Sequence, residues 1–226
     1  SVYFTYPANT SKGVYFTRDN VQCTYIRGAG IPADVTGIIP PMQGFFTKTY
    51  SSGNMIIIPA AARTNTGIHD RYKGTAYIPL VRLALTMGDF NYDETVVRFD
   101  PEAKIDLDYD FDATKMFLST SKNQIYSSLD GIKYAINGVP FPEYPDTVIN
   151  IPIAINITTA GNYTITMKQI QALADYDIAL EDKTTGITTN LIRTPNIAFY
   201  SGTGTITDRF ILKIGDIWVG INDITQ

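Results

Sequence analysis

The stretch INIPIAINI at residues 149–157 places isoleucine at every second position. Because successive side chains of a β-strand point to opposite faces, this pattern predicts a strand with one buried face. Pro152 cannot donate a backbone hydrogen bond, so the strand is expected near an edge or a bulge. Residues 160–162 (AGN) supply turn chemistry and residues 163–168 alternate again. The two segments together predict a hairpin.

Similar extended runs recur along the rest of the chain. They lie at residues 44–49, 54–58, 78–87, 94–99, 132–137, 178–181, 187–191, 198–201 and 206–214. No segment sustains the apolar spacing of a helix, and the density of short strands is typical of a sandwich. We therefore expect an all-β fold, an antiparallel β-sandwich of the jelly-roll or immunoglobulin-like type. Residues 1–215 are expected to form this single domain, with residues 216–226 as a linker.

Composition narrows the classes of partner. The 226 residues are 44% hydrophobic and 18% charged, with a net charge of −4. No basic cluster is present to neutralise a phosphate backbone, so nucleic acid is not expected as a partner. The apolar runs are too short for a membrane-spanning helix. Cys23 is the only cysteine, so no disulfide within the chain can form.

Five segments together resemble a known class of exported protein. They read IIPPMQGFF at residues 38–46, IIPAAAR at 57–63, DATK at 112–115, LEDKTTG at 180–186 and TDRFIL at 207–212. In this order they resemble the β-sandwich domain that precedes the C-terminal sorting domain in cargo proteins of the Bacteroidota type IX secretion system. GIND at residues 220–223 is similar to the linker that leads to the sorting domain, and we expect the sorting domain itself to be absent here.

The resemblance implies a location and a type of partner. It implies a secreted protein, at the cell surface or in the extracellular space, that meets secretion-system components or other cell-surface proteins. It assigns no single ligand. We therefore expect a non-catalytic structural or adhesive module, and the alternative is a carbohydrate-binding module that recognises a polysaccharide through exposed aromatic residues.

An acidic stretch is the most notable local feature. Asp106, Asp108, Asp110 and Asp112 alternate with large side chains, so an extended chain would place the four carboxylates on one face. Ca²⁺ accepts several carboxylate oxygens in a flexible shell and would relieve their repulsion. A structural Ca²⁺ site is one interpretation and a solvated acidic loop is the other. We expect no other cofactor.

Aromatic side chains are the candidate ligand contacts, because their faces can stack on sugar rings. We select Tyr109, Tyr126 and Trp218, with core packing as the alternative for each. The single histidine, His69, is expected in a surface loop, and no G-x-S-x-G elbow is present. No catalytic residue is therefore assigned, although the many carboxylates leave glycoside hydrolysis formally open.

Overall fold

The fold is described from a computed structural model. It describes residues 6–7, 9–19, 21–40, 42–62, 78–88, 90–117, 122–142 and 147–218. Within these ranges the chain is nearly all β, and helical structure is confined to a 3-10 turn at Ala60–Ala62. The all-β prediction is confirmed at this level.

The described strands form a small sheet and a large sheet. The small sheet contains β1 (Thr10–Arg18), β2 (Val21–Ile26), β3 (Ala29–Ile31) and β4 (Phe46–Thr49), in the spatial order β3-β2-β1-β4. The large sheet contains β5 (Leu80–Met87), β6 (Phe90–Phe99), β7 (Ala113–Thr114), β8 (Gln124–Leu129), β9 (Ile132–Val139), β10 (Val148–Ile157), β11 (Gly161–Gln171), β12 (Asp177–Asp182), β13 (Ile187–Asn190), β14 (Asn196–Ser201) and β15 (Gly204–Gly215).

The large sheet branches at β9. Tyr134 pairs with both β8 and β7, and Ile136 pairs with both β6 and β7. Because a strand has two edges, β7 lies along one edge while β8 and β6 follow each other along the other. Two arms leave this edge: a first arm in the order β6-β5-β11-β14 and a second arm in the order β8-β10-β15-β12-β13.

Both arms contribute to one apolar core. The main cluster combines β5, β6, β11 and β14 of the first arm with β8, β10, β12 and β15 of the second. Phe199 of β14 contacts Phe210 of β15 edge to face, with ring centroids 4.9 Å apart. A second cluster packs the small sheet against β5, β6 and β9. The protein therefore buries both faces of its central strands.

A buried arginine joins the two sheets. The Arg82 guanidinium of β5 donates to Glu94 of β6 at 2.7 Å and to the Gly30 carbonyl of β3 at 2.8 Å. Burial raises the pKa of Glu94, and the neighbouring Arg82 charge opposes that shift. Because the arginine also satisfies a carbonyl of the small sheet, the position of that sheet depends on a charged contact as well as on apolar packing.

Two details of the predicted topology are wrong. The large sheet is mixed rather than purely antiparallel, because β6 and β9 run parallel. The stretch that begins with INIPIAINI does form β10, but β10 pairs with β15 and β8, whereas β11 pairs with β14 and β5. The predicted hairpin is therefore absent, and the turn after β10 carries the chain from one arm to the other. The side chains of β10 and β11 would alternate in the same way in a hairpin, so the sequence pattern does not distinguish a hairpin from strands in different arms.

Pro152 and the segment after β4 complete this comparison. Pro152 pairs with Ile211 just before a register shift between β10 and β15, so the predicted bulge is confirmed. The predicted edge position is wrong, because β10 has a neighbouring strand on each side. Residues 54–58 were expected as a strand, yet only Ile57 makes an isolated bridge.

Candidate functional site

The acidic stretch folds into turns rather than an extended strand. We call residues 106–112 the acid turn. Asp108 Oδ1 accepts a hydrogen bond from the Asp110 amide at 2.9 Å, and Asp112 Oδ2 accepts one from the Asp108 amide at 2.7 Å. Asp112 Oδ1 accepts a further bond from the Gly138 amide of β9 at 2.7 Å. Two of the predicted metal ligands therefore hold the turn together and fasten it to the sheet.

Asp112 lies in an unusual electrostatic setting. Its side chain is 1% exposed, and desolvation by burial raises the pKa of the carboxyl from 3.8 to about 7, against the lowering effect of the two backbone amides. The Ser11 hydroxyl donates to the Asp112 carbonyl at 3.0 Å. The group therefore connects the small sheet, the acid turn and β9, and its ionisation is coupled to folding.

The remaining two carboxylates lie toward solvent. Asp110 forms an ion pair with Lys12 at 2.8 Å, and Arg27 is 4.0 Å from the same carboxylate, while Asp106 is exposed. Within the described part of the chain, no group of three or more His, Cys, Asp or Glu residues is placed to hold a metal ion. The calcium site stays a prediction.

A stacked tyrosine pair lies beside the acid turn. The rings of Tyr50 and Tyr109 have centroids 4.4 Å apart and an interplanar angle of 26°. Both side chains are half-buried, and the Lys48 ammonium lies 4.9 Å from the Tyr50 ring centroid. The sequence pointed to Tyr109 but not to Tyr50. Tyr50 follows β4 of the small sheet and Tyr109 lies before β7 of the large sheet, so no local sequence pattern connects the two residues. We call Tyr50 and Tyr109 the tyrosine pair.

The other two predicted aromatic contacts do not join Tyr109. Tyr126 of β8 is 0% exposed and packs edge to face against Phe117, so it is a core residue and not an exposed contact. Trp218 follows β15 and is half-buried, with its indole nitrogen enclosed. His69 and the linker-like residues 220–223 lie outside the described residues.

Two of the motifs that carry the resemblance meet in space. Asp182, in LEDKTTG, accepts hydrogen bonds from Arg209, in TDRFIL, at 2.9 Å from Nε and 2.8 Å from Nη2. Arg209 Nη1 also donates to the Tyr200 carbonyl of β14 at 3.0 Å. Tyr200 pairs with β11 on its other side, so Arg209 occupies part of the free edge of β14. One side chain therefore connects β12, β15 and β14.

A family comparison covers nearly the whole chain. The family described as Domain of unknown function (DUF8693) matches residues 1–214. The chain belongs to the DUF8693 family. No curated protein and no solved structure matches it.

Charged groups inside the DUF8693 domain are used by the fold. Lys115 is buried and donates to both oxygens of Asp93 at 2.8 and 2.6 Å, and Asp93 also accepts a hydrogen bond from the Ile125 amide.

Cys23 is buried in the small sheet, and burial raises the pKa of its thiol. A buried neutral thiol behaves as a small apolar side chain. In the described segments of this DUF8693 domain, no helix is long and apolar enough to cross a membrane.

Proposed function

We propose that the DUF8693 domain of this chain is a non-catalytic structural or adhesive module of a secreted protein, displayed at the cell surface of a Bacteroidota species by type IX secretion. We further propose a β-sandwich of the jelly-roll or immunoglobulin-like type as its architecture, with secretion-system components or other cell-surface proteins as partners. The shared core of the two arms supports the layered part of this proposal.

One surface observation carries the proposal. Residues 42–58 expose a group of large apolar side chains that a folded domain normally buries or covers with a partner: Met42, Phe46, Met55, Ile57 and Ile58. These five side chains lie close together in the sequence, and exposed apolar surface of this kind is typical of interaction sites. The segment also overlaps the IIPPMQGFF and IIPAAAR motifs of the resemblance, so the residues that suggest export are the ones available to a partner.

The use of the buried charges supports a structural role. Arg82 and Arg209 each hold a carboxylate on a neighbouring strand at 2.7 and 2.8 Å, and Lys115, which follows β7, holds Asp93 of β6 at 2.6 Å. Buried groups held in such pairs are poorly suited to act as catalytic acids or bases. These pairs therefore favour a rigid module over a reaction centre.

Surface display is the direct test. In intact cells of the producing organism, an added protease should digest the chain, and it should spare the chain when the type IX translocon is disrupted. A periplasmic protein that stays intact in both strains controls for cell lysis.

Carbohydrate binding is a second candidate, and the tyrosine pair is the observation that favours it. Stacked, half-exposed rings beside the Lys12–Asp110 ion pair provide an aromatic surface with hydrogen-bonding groups at its side. This combination suits sugar rings and their hydroxyl groups.

A glycan array tests the second candidate. The purified chain should bind a defined glycan, and Tyr109→Ala should abolish the signal. Tyr200→Ala is the matched control, because Tyr200 is 65% exposed and lies on β14, outside the tyrosine pair. A silent array, or equal loss in both variants, rejects recognition through the tyrosine pair.

A further inference from the structure

A polar groove lies where the β12–β13 turn meets β15. It has a volume of about 430 Å³ and is lined by Lys183, Thr184, Ile206, Asp208 and Arg209. We call these five residues the polar groove. The groove is open to solvent, and its residues Lys183, Thr184 and Asp208 are exposed. None of these residues belongs to the acid turn or to the tyrosine pair, so the groove is a separate feature of the surface.

The frame of the groove is held in place by the chain itself. Asp182 Oδ1 accepts the Thr184 amide at 3.0 Å, and the Lys183 amide donates to the Arg209 carbonyl at 2.8 Å. The Arg209 guanidinium lies 4.9 Å from the ring centroids of both Phe199 and Phe210. These contacts fix the turn and the arginine before any ligand arrives, which reduces the ordering cost of binding.

The groove presents unused hydrogen-bonding groups. An arginine has five N–H donors, and Arg209 uses one on each of its three nitrogens, so two remain. No side-chain partner of Lys183 or Asp208 occurs among the residues that the structure describes. The Thr184 hydroxyl adds a group that both donates and accepts, and Ile206 adds an apolar surface.

The charges of the groove and its frame cancel. Lys183 and Arg209 are positive, and Asp182 and Asp208 are negative. A balanced site gives no net attraction to an anion such as phosphate or sulfate. A neutral ligand rich in hydroxyl groups matches the mixture of donors and acceptors, and the C–H face of a sugar ring matches Ile206.

We propose that the polar groove binds a neutral sugar unit. This goes beyond the proposed module function, because it assigns a ligand class to residues outside the exposed apolar segment and the tyrosine pair. Surface display is tested on cells and sugar binding is tested on the purified chain. Either proposal can therefore fail while the other holds.

An NMR titration of the full ¹⁵N-labelled chain tests the proposal. The probes are maltose, cellobiose and lactose, with glucuronate and inorganic sulfate as charged comparisons. At least one disaccharide should shift the amide signals of Lys183, Thr184 and Asp208 saturably. The double variant Lys183→Ala with Asp208→Ala should weaken that binding about tenfold or more, because two hydrogen-bonding groups are lost.

The matched control removes two exposed charges elsewhere, by Lys104→Ala with Asp175→Ala, and should leave the affinity unchanged. Equal melting temperatures of the two double variants show that both are folded. The proposal is overturned by the absence of saturable shifts at the groove with all three disaccharides. It is also overturned by unchanged affinity in the groove variant, or by shifts with glucuronate or sulfate alone.

Discussion

Arg209 donates hydrogen bonds to both oxygens of the Asp182 carboxylate. The two residues lie on neighbouring strands of the second arm, and their side chains are 14% and 10% exposed. The hydrogen bonds from Arg209 are the main reason why the pKa of Asp182 lies below its ordinary value. The contribution of the pair to stability is therefore present above that ordinary value and is lost as pH falls through the lowered pKa. The pair also connects β14 through the Tyr200 carbonyl.

Removing this arginine should cost more than removing a neighbouring lysine. We expect Arg209→Ala to lower the free energy of unfolding by about 2–4 kcal/mol, because it leaves a mostly buried carboxylate without its charge partner. Lys213→Ala breaks the more exposed pair with Glu181 on the same two strands and should cost less than about 1 kcal/mol. Urea unfolding of both variants measures the difference, and equal costs would show that the Asp182 pair has no special role.

The close approach of β9 to the acid turn can be tested at a glycine. A Cβ at Gly138 would lie 2.5 Å from Phe111 Cβ and 3.0 Å from its carbonyl oxygen. Gly138→Ala should therefore destabilise the fold by about 1–3 kcal/mol. Gly202 has open space around it, so Gly202→Ala is the control and should change stability by less than about 0.5 kcal/mol. Thermal melts of the two variants measure the contrast, and a neutral Gly138→Ala would contradict this packing.

Asp112 should make stability depend on pH in an unusual direction. Its pKa is raised from 3.8 to about 7 in the folded protein, so its contribution is fully present below 3.8 and is lost as pH rises through 7. We expect the ionisation of Asp112 to lower the free energy of unfolding by on the order of 1–4 kcal/mol as pH rises from 3.8 to about 7. Asp112→Asn keeps the acceptor for Gly138 but loses the one for Asp108, and it removes the titration.

Urea unfolding between pH 4.5 and 8 measures that effect as a difference in slope. The variant should be less stable than the natural protein at low pH, and the gap should narrow as pH rises. A gap that is constant across this range would mean that Asp112 does not titrate there.

The calcium prediction has a thermal test. A bound ion at the acid turn would have to compete with Lys12 for Asp110 and with backbone amides for Asp108 and Asp112. Because a ligand that binds only the folded state stabilises it, a site would raise the melting temperature in millimolar Ca²⁺, and Asp110→Asn would reduce the rise. Mg²⁺ at the same concentration is the control for ionic strength. An unchanged melt contradicts the site.

The sequence could reveal strands but not how they are arranged. The alternation of Ile151, Ile153 and Ile155 correctly predicted a buried face, since those residues lie in the main core. The same alternation suits a hairpin and a turn between two arms, so the partner of β10 could not be deduced. The parallel pairing of β6 and β9 depends on contacts between distant segments, which local patterns do not record.

Side-chain exposure was equally hard to deduce. The sequence offered Tyr109 and Tyr126 alike as aromatic contacts, yet one stacks near the surface and the other is enclosed by Phe117 and the sheet. Asp182 and Arg209 were noted only as parts of separate motifs, because their contact spans 27 residues. The acid turn was expected to be extended, but hydrogen bonds from its own backbone to Asp108 and Asp112 stabilise turns instead.

Surface labelling of intact producing cells tests the central claim most directly. Antibodies against the folded chain should label wild-type cells and should not label a strain without the type IX translocon, although both strains make the protein. Labelling that is absent from wild-type cells, or equal in both strains, would contradict the account of this domain as an exported surface module.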